Sequence, residues 1–463
     1  METGVTVVIL AAGLGTRMKS RRAKVLHCAG GKTLIEHTVD TALALAPRER
    51  VFVVVGHQAD EVRRTVQARG VGFVQQMEQK GTGHALMVGR EALAGLGGLL
   101  VIYYGDCPLI PKTVLASLVE HQKHSDAAGT IVAAELDDPT GYGRVIRDSN
   151  GRVQEVIEQK AATPQQLAIR EANVGIYCYR ADLFWKHVNE LRTDNPAREY
   201  YLTDMVGILR NAGHPIDAYR AQNAVELLGI NNRVELAAAD RTFRERKIRE
   251  LMLSGVTVEK PETVAVDEDA AVGMDTVIEP FAQILGKTRI GERCRIGACS
   301  IVRDSELADE VEVGAFSIIG TSRVGQGARI GPYARLRLEN DVAAGANIGN
   351  FVELKKTKMG AESKAMHLAY LGDSIIGEDV NVGAGTITCN FDGRAKHRTM
   401  IGDHVFVGSN STLVAPVEIG EGAYLAAGSV ITDPVPSDAL ALGRARQTIK
   451  PGWAKKRREM AKA

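Results

Sequence analysis

Between residues 264 and 431, aliphatic residues return every six positions, usually followed by a small residue. Ile401-Gly402, Val407-Gly408, Leu413, Ile419-Gly420, Leu425-Ala426 and Ile431 form one such grid. Val324-Gly325, Ile330-Gly331, Leu336, Val342-Ala343, Ile348-Gly349 and Leu354 share its spacing, and an earlier run (Ile301, Leu307, Val313-Gly314, Ile319-Gly320) stands one residue out of phase. Small residues or valine often lie four places after the aliphatic one, as Val405 and Ser411 do. A six-residue period matches neither an amphipathic helix nor a simple alternating strand. It predicts a triangular solenoid in which each hexapeptide is a short strand and a turn, and three make a coil. The aliphatic side chains then point inward, and glycine is expected to take the unusual backbone at each corner. About 170 residues at roughly eighteen per coil predict about nine or ten coils, each rising by about 4.8 Å.

The first half of the chain has a different pattern. Residues 5–10 form a continuous apolar strand that runs into Ala11-Ala12-Gly13-Leu14-Gly15-Thr16-Arg17-Met18. Further apolar strands at 51–55 and 99–103 alternate with helical patterns, which predicts a mainly parallel sheet with helices on both faces. A glycine-rich turn after a strand suits phosphate binding by backbone N–H groups. The third glycine of a dinucleotide fingerprint is missing, Met18 standing at its position, and the loop carries Arg17 instead, which points away from a dehydrogenase and toward a triphosphate. Tyr104-Gly105-Asp106 closes another strand at the edge where ligands collect in such sheets, so Asp106 is a candidate Mg²⁺ ligand. From residue 234 to 252 the pattern becomes helical, with Leu236, Ala239, Phe243, Ile248, Leu251 and Met252 in an apolar stripe. That spacing predicts an amphipathic helix of about five turns that joins two domains and covers the first coil's open edge. The expected boundaries are 1–233, 234–254 and 255–463.

Composition narrows the classes. The chain has 463 residues, net charge +1, 24% charged and 45% hydrophobic residues, an ordinary balance for a soluble protein of two or more domains. Nothing points to nucleic acid, no apolar run approaches a membrane span, and the N-terminus has no secretory pattern. The six cysteines lack CxxC or metal-site spacing, so reduced thiols in a cytoplasmic protein are expected. Lys455-Lys456-Arg457-Arg458 is read as a solvated terminus.

The hexapeptide grid breaks in three places: around Lys355-Lys356-Thr357-Lys358, around 366–373, and between Cys389-Asn390-Phe391-Asp392-Gly393 and Thr399. Insertions in a solenoid emerge as loops on one face, often the binding face.

Several motifs carry a family resemblance. Residues 10–18, Lys24-Val25-Leu26-His27, Gln79 with Gly81-Thr82-Gly83-His84-Ala85, and Tyr104-Gly105-Asp106 resemble sugar-1-phosphate nucleotidylyltransferases. Gly141-Tyr142-Gly143-Arg144, Glu158, Asn173 and Gly229-Ile230-Asn231-Asn232-Arg233 continue the match in order. The repeats resemble the left-handed parallel β-helix of hexapeptide acyltransferases; the left hand comes from that resemblance, because the usual crossover rule favours the opposite. Together the set resembles the bacterial bifunctional N-acetylglucosamine-1-phosphate uridylyltransferase/glucosamine-1-phosphate acetyltransferases over almost the whole chain. The implied fold class is α/β + β: a Rossmann-like nucleotidyltransferase domain, a linker helix and a C-terminal left-handed β-helix.

That resemblance implies two activities and a site for each. In one, a sugar phosphate attacks the α-phosphorus of UTP and pyrophosphate leaves. Both reactants are anions, so cationic side chains and Mg²⁺ are the expected remedies. Arg17 and Lys24 would neutralise phosphates, and Asp106 and Asn231 would hold the metal. Leu10, Ala11, Ala12, Gly13, Gln76, Gly81 and Thr82 would receive uracil, with Tyr104 and Gly105 beside the nucleotide and Gly143, Glu158 and Asn173 on the sugar. In the other, acetyl-CoA acetylates glucosamine-1-phosphate. His367, within Lys364-Ala365-Met366-His367-Leu368-Ala369-Tyr370, is the implied general base, since imidazole accepts a proton near neutral pH. Arg337 and Lys355 would hold the substrate phosphate, Tyr370, Asn381 and Asn390 the sugar. Ala384, Asn390, Phe391, Ser409, Ala427 and Arg444 would line the coenzyme A groove. A homotrimer is implied, and UDP-N-acetylglucosamine for peptidoglycan and lipopolysaccharide precursors.

The competing readings are a nucleotidylyltransferase whose β-helix serves only assembly or regulation, and a non-catalytic scaffold. His367, Lys355 and the Asn390 loop oppose the first; Arg17, Lys24, Asp106 and Asn231 oppose the second. Four positions depart from the family pattern: Leu14 for a frequent lysine, Ala23 and Leu338 for prolines, and Phe391 for a tyrosine. Ala23 is expected to loosen the loop that carries Lys24. Phe391 removes one hydroxyl contact, so acetyl transfer is expected to survive with a weaker hold on the amino sugar. Titration of glucosamine-1-phosphate against the Phe391 and Phe391→Tyr proteins checks this; equal affinity contradicts it.

Overall fold

The computed structural model describes residues 4–461 and divides into two compact units between Phe243 and Arg244. In the first unit, β1 (Val5–Ala11), β2 (Val51–Val55), β3 (Gly72–Gln75), β4 (Leu99–Tyr104) and β5 (Gly129–Glu135) run in one direction. The hairpin β6 (Gly143–Arg147) and β7 (Val153–Ile157) follows, then β8 (Glu171–Arg180) and β9 (Ile216–Arg220). The main sheet order is β9-β5-β8-β4-β1-β2-β3, with β8 antiparallel to both neighbours. The expected mainly parallel sheet is therefore mixed, because one long strand is threaded backwards through its middle.

The central strands are largely apolar, as in Val51–Val55 and Leu99–Tyr104, because both faces are covered. Val7, Ile9 and Ala11 enter one core, while Val8, Leu10 and Ala12 enter the other, the alternation a pleated strand imposes. The carboxyl ends of β1, β2, β3 and β4 lie at one edge, since Leu10 pairs with both Val54 and Tyr104, and Val55 pairs with Gln75. The loops that follow these strands are brought together there.

The second unit is the solenoid. Three parallel sheets contain eleven, ten and nine strands among the described residues, from Thr257–Val258 to Leu440–Ala441. Regular stacking thus starts earlier and ends later than the sequence grid. Inward residues from all three sheets build a single core, as in the ladder Leu336, Leu354, Leu371. Val405 and Ser411, four places on, are also buried. In the early run Val302, rather than Ile301, points inward and is fully buried. Several phase slips share an origin: edges between the second and third faces are one residue short, as from Val302 to Leu307 or Leu354 to Met359.

The glycines play a different part from the one expected. Left-handed corners are largely held by other residues, including Phe316 (φ 60°), Tyr333 (57°) and Phe351 (59°). The glycine after the aliphatic residue instead lets the next coil approach. A Cβ at Gly297 would lie 2.6 Å from the Ala315 nitrogen, and one at Gly325 would lie 2.5 Å from that of Ala344.

The helix Arg233–Leu253 contains the division between the units. In the first unit Ala239 and Phe243 pack with Ala29, Leu34, Leu109 and Ile230, and Phe243 stacks on His37 at 3.9 Å. In the second, Ile248 and Leu251 join Val256, Val258 and Val264 at the start of the solenoid core. Met252 is 47% exposed and leaves the expected stripe.

Leu354 is fully buried in this ladder. Leu354→Ala should cost about 2–5 kcal/mol through lost burial and the cavity left behind. Calorimetry should show the solenoid's transition falling by roughly 5–15 °C; an unchanged midpoint contradicts the inward placement.

Candidate active sites

At the carboxyl edge of the first unit's sheet lies a cavity of about 450 Å³. Its walls include Leu10, Ala11, Ala12 and Gly13 from β1 and its loop, Gln76, Gly81 and Thr82 after β3, and Tyr104 and Asp106 at the end of β4. A side chain at Gly13 would meet nothing within 4 Å, so this backbone faces open space. At Gly81 (φ 110°) a Cβ would strike the Tyr200 backbone, so glycine is required where helix Thr82–Leu93 begins. Gln76 is buried, with its amide nitrogen 3.0 Å from the Gly81 carbonyl and 3.1 Å from His84 Nδ1. Thr82 Oγ1 accepts from the Leu202 N–H at 3.0 Å.

Charge concentrates on one side of this cavity. Arg17 and Lys24 both donate to Asn231 Oδ1 at 2.8 Å, and Lys24 also forms an ion pair with Asp106. The Ile230 N–H donates to the Asp106 carbonyl at 2.9 Å, which ties segment 229–231 to the end of β4. Buried Cys107, its thiol held well up by burial and by Asp106, donates to Asp106 Oδ1 at 3.4 Å. Asp106 and Asn231 thus direct two oxygen donors at one cation, the Lys24 ammonium. That donor set fits Mg²⁺, which takes one or two protein oxygens and completes its shell with water and phosphate.

Glu235 orients Asn231 by accepting its N–H at 2.6 Å, while Asn232 Oδ1 accepts from the Glu235 N–H at 3.0 Å. This role was legible in the Asn-x-x-Glu spacing at the start of the helix, a capping signature. Ala23 also differs from expectation: its N–H donates to Gln58 Oε1 at 2.5 Å, and Gln58 donates to the Arg21 carbonyl at 3.2 Å. The loop before Lys24 is tied by a bond that proline could not make.

Gly143, Glu158 and Asn173 come together beside Tyr104. Gly143 pairs in register with Asn173, whose side chain donates to Tyr177 Oη at 2.7 Å. Glu158 accepts from the Thr203 hydroxyl at 3.1 Å. Burial pushes the Glu158 carboxyl up, against the Thr203 bond and with help from Glu199. Burial and Glu158 push Asp204 up to about 6, outweighing its favourable place in the first turn of helix Asp204–Asn211. Thr203 and Asp204 were absent from the sequence reading because neither lies in a recognisable motif.

In the solenoid, equivalent positions in successive coils form columns. Ala365, Val382, Val407 and Leu425 are ladder partners and point inward. His367, Ala384, Ser409 and Ala427 each follow two residues later, so they line one corner in consecutive coils. Leu425 pairs with Ala441, which puts Arg444 at the column's far end, where its Cδ lies 3.9 Å from a Cβ built at Gly428. The corner is therefore a strip of small side chains between an imidazole and a guanidinium. His367 is exposed, and its Nδ1 lies 2.8 Å from Asn350 Oδ1.

A second cluster lies on the next face. Asn390 donates to Asp373 Oδ2 at 2.5 Å and sits 3.4 Å from Tyr370 Oη, while Lys355 Nζ is 3.7 Å from Asp373. Arg337 donates to Glu353 at 2.9 Å, and Glu353 pairs in register with Tyr370. The insertion after Cys389 is a small hairpin in which Phe391 bridges Lys396. Hydrogen bonds from the Ala395 N–H, His397 and the Arg394 N–H hold the Asp392 carboxyl well below the usual range. The hairpin presents Lys396 to Lys355; their contact depresses Lys396 and raises Lys355. Lys396 is absent from any recognisable motif, because no spacing links it to Lys355. Asn381 lies on the neighbouring coil, in register with Lys364, and Phe391 is 59% exposed; neither side chain joins the cluster through a hydrogen bond among the described residues.

The described residues contain no helix long and apolar enough to cross a membrane, and no group of three or more His, Cys, Asp or Glu suited to a metal. All six cysteines are free thiols.

Known proteins resemble both halves of the chain. Residues 7–222 match the MobA-like NTP transferase domain, and residues 269–304 and 398–433 match the six-repeat bacterial transferase hexapeptide family. The chain is 65% identical over 462 residues to the "Bifunctional protein GlmU" of Solibacter usitatus (strain Ellin6076), covering 100% of this chain and 99% of that protein. It is 49% identical over 455 residues to the protein of that name from Koribacter versatilis (strain Ellin345), covering 98% and 97%. With that of Shouchella clausii (strain KSM-K16) it shares 44% over 454 residues, covering 98% and 99%. The chain belongs to the bifunctional GlmU family and is an enzyme with a uridylyltransferase half and a left-handed β-helix acetyltransferase half.

Proposed function

We propose that the solenoid acetylates glucosamine-1-phosphate with acetyl-CoA, and that the N-terminal unit joins the product to UTP to give UDP-N-acetylglucosamine and pyrophosphate. The observation that carries this reading is that each unit holds its own complete set of polar groups. Arg17, Lys24, Asp106 and Asn231 meet at one sheet edge, and His367 heads a column of small residues on the solenoid.

In acetyl transfer, Arg337, Lys355 and Lys396 hold the substrate phosphate, since paired cations in contact are relieved by an anion between them. Tyr370, Asn381 and Asn390 orient the sugar so that its amine faces His367. The amine nitrogen bonds to the thioester carbon, the carbon–sulfur bond breaks, and His367 Nε2 takes the amine proton. The pantetheine arm lies along Ala384, Ser409 and Ala427, with Phe391 beside it and Arg444 on its phosphates.

In uridylyl transfer, the backbone of Leu10, Ala11, Ala12 and Gly13 receives uracil together with Gln76, Gly81 and Thr82. Gly143, Glu158 and Asn173 position the sugar, with Tyr104 and Gly105 beside the nucleotide. Arg17 and Lys24 offset the repulsion between the attacking phosphate oxygen and the triphosphate. Asp106 and Asn231 hold Mg²⁺, which supplies further charge neutralisation when bound. Lys24, released from Asp106, is then free to follow the phosphates.

The chain works in the cytoplasm as a homotrimer. Hexapeptide repeats are compatible with that assembly, and the exposed stack of Phe316, Tyr333 and Phe351 along one corner favours a covered face.

Independent sites give a direct test. Lys24→Ala should lose uridylyl transfer alone and His367→Ala acetyl transfer alone, each by at least about 100-fold. A mixture of the two proteins should restore UDP-N-acetylglucosamine formation through a diffusing intermediate. A mixture that stays inactive contradicts the assignment.

A further inference from the structure

The corner that carries His367 is built differently from its equivalents. In the eleven-stranded sheet every strand has two residues except Asn347–Asn350 and Lys364–His367, which have four. The extra length adds a ladder pair beyond the inward residues, Asn350 with His367. Gly349 permits it, because a Cβ there would run into the Met366 carbonyl. Both chains then turn at once through left-handed residues, Phe351 (φ 59°) and Leu368 (φ 47°). The Leu368 N–H donates to the Asn350 carbonyl at 3.1 Å, so backbone as well as side chain fixes the two residues against each other.

Asn350 belongs to the same column as His367, one coil earlier. The corresponding residues in the next coils on either side are Pro332 and Ala384, which have no side-chain polar atom. We infer that Asn350 is a positioning residue for acetyl transfer, holding His367 with its proton on Nδ1 and its Nε2 lone pair free for the substrate amine. This rests on the assignment of His367 as the base. An amide oxygen only accepts, so it selects the tautomer with hydrogen on Nδ1. Being uncharged, it does so without favouring the imidazolium, which a carboxylate would stabilise and which is a spent base. The surrounding strands keep that neutrality: Asn347, Asn350 and Asn381 flank the imidazole strand, whose other ionisable side chain is Lys364, and Tyr370 follows the turn. Among the described residues no carboxylate pairs with His367.

The test uses full-length Asn350→Ala, Asn350→Leu, Asn350→Asp and His367→Ala proteins. Coenzyme A release is followed from about pH 5.5 to 9, with uridylyl transfer as the folding control in the same chain. Asn350→Ala and Asn350→Leu should lower kcat about 10- to 100-fold. KM for glucosamine-1-phosphate should stay within about twofold, since the residue acts on the base rather than on binding. Asn350→Asp restores an acceptor and should recover most of the rate, with the acidic limb of its kcat profile moved up by about 0.5–1 pH unit. Unchanged kcat in Asn350→Ala overturns the inference. So does an equal loss in Asn350→Ala and Asn350→Asp without a moved limb, which marks a merely structural residue. If His367→Ala keeps acetyl transfer, the base assignment itself fails; if it loses acetyl transfer while Asn350→Ala does not, only the role of Asn350 fails.

Discussion

The solenoid depends on one constraint: successive coils stack at a single strand spacing, in register, around a core fed by the inward aliphatic side chains of all three sheets. Burial of each contributes roughly 1.5–3 kcal/mol, and the ladder fixes every neighbouring residue relative to its equivalent above and below. A six-residue sequence period is thereby converted into columns on the surface. The strip from His367 through Ala384, Ser409 and Ala427 is such a column, and its residues lie far apart in sequence while remaining neighbours in space. The surface can diverge from the repeat only where the ladder tolerates it. It does so at the lengthened pair of strands that carry Asn350 and His367, and at the hairpin that brings Lys396 to Lys355.

The N-terminal unit answers a different problem, how to bring two anions together. A sheet whose central strands are buried on both faces places their carboxyl ends at one edge and leaves their loops free for chemistry. The cations and oxygen donors found there satisfy one another: Lys24 lies between Asp106 and Asn231, and Arg17 also holds Asn231. Such a site is ordered before substrate arrives, and each of these interactions can be exchanged for one to phosphate or metal. The Asn232–Glu235 cap keeps Asn231 aimed at this point, so the first turn of the long helix is part of the site's support.

Much of this was legible in the sequence, for physical reasons that differ by region. The hexapeptide period is strong because every coil needs the same inward residue. The Leu10 to Arg17 loop is local, so its residues remain adjacent in the fold. Reading failed where a role depended on partners distant in sequence. The six-residue period points to Ile301 where Val302 is the inward residue, because a one-residue-short edge is invisible to a fixed period. Glycines were assigned to corners, whereas aromatic and acidic residues hold many corners and glycines admit the next coil. Met252 was placed on a single apolar stripe, although the helix contributes to two separate cores. Ala23 was expected to loosen its loop, because Gln58, thirty-five residues away, gave no sign of accepting its N–H. Thr203, Asp204 and Lys396 carry no sequence signal for the same reason.

The central claim is that one chain carries both reactions in succession. The most direct measurement is mass spectrometry of a single mixture containing the purified protein, glucosamine-1-phosphate, acetyl-CoA labelled in its acetyl group, UTP and Mg²⁺. UDP-N-acetylglucosamine bearing the label, with an equal amount of free coenzyme A, is the expected result. Product formed only when N-acetylglucosamine-1-phosphate is supplied, with no coenzyme A released, would contradict it and leave the solenoid as an assembly module.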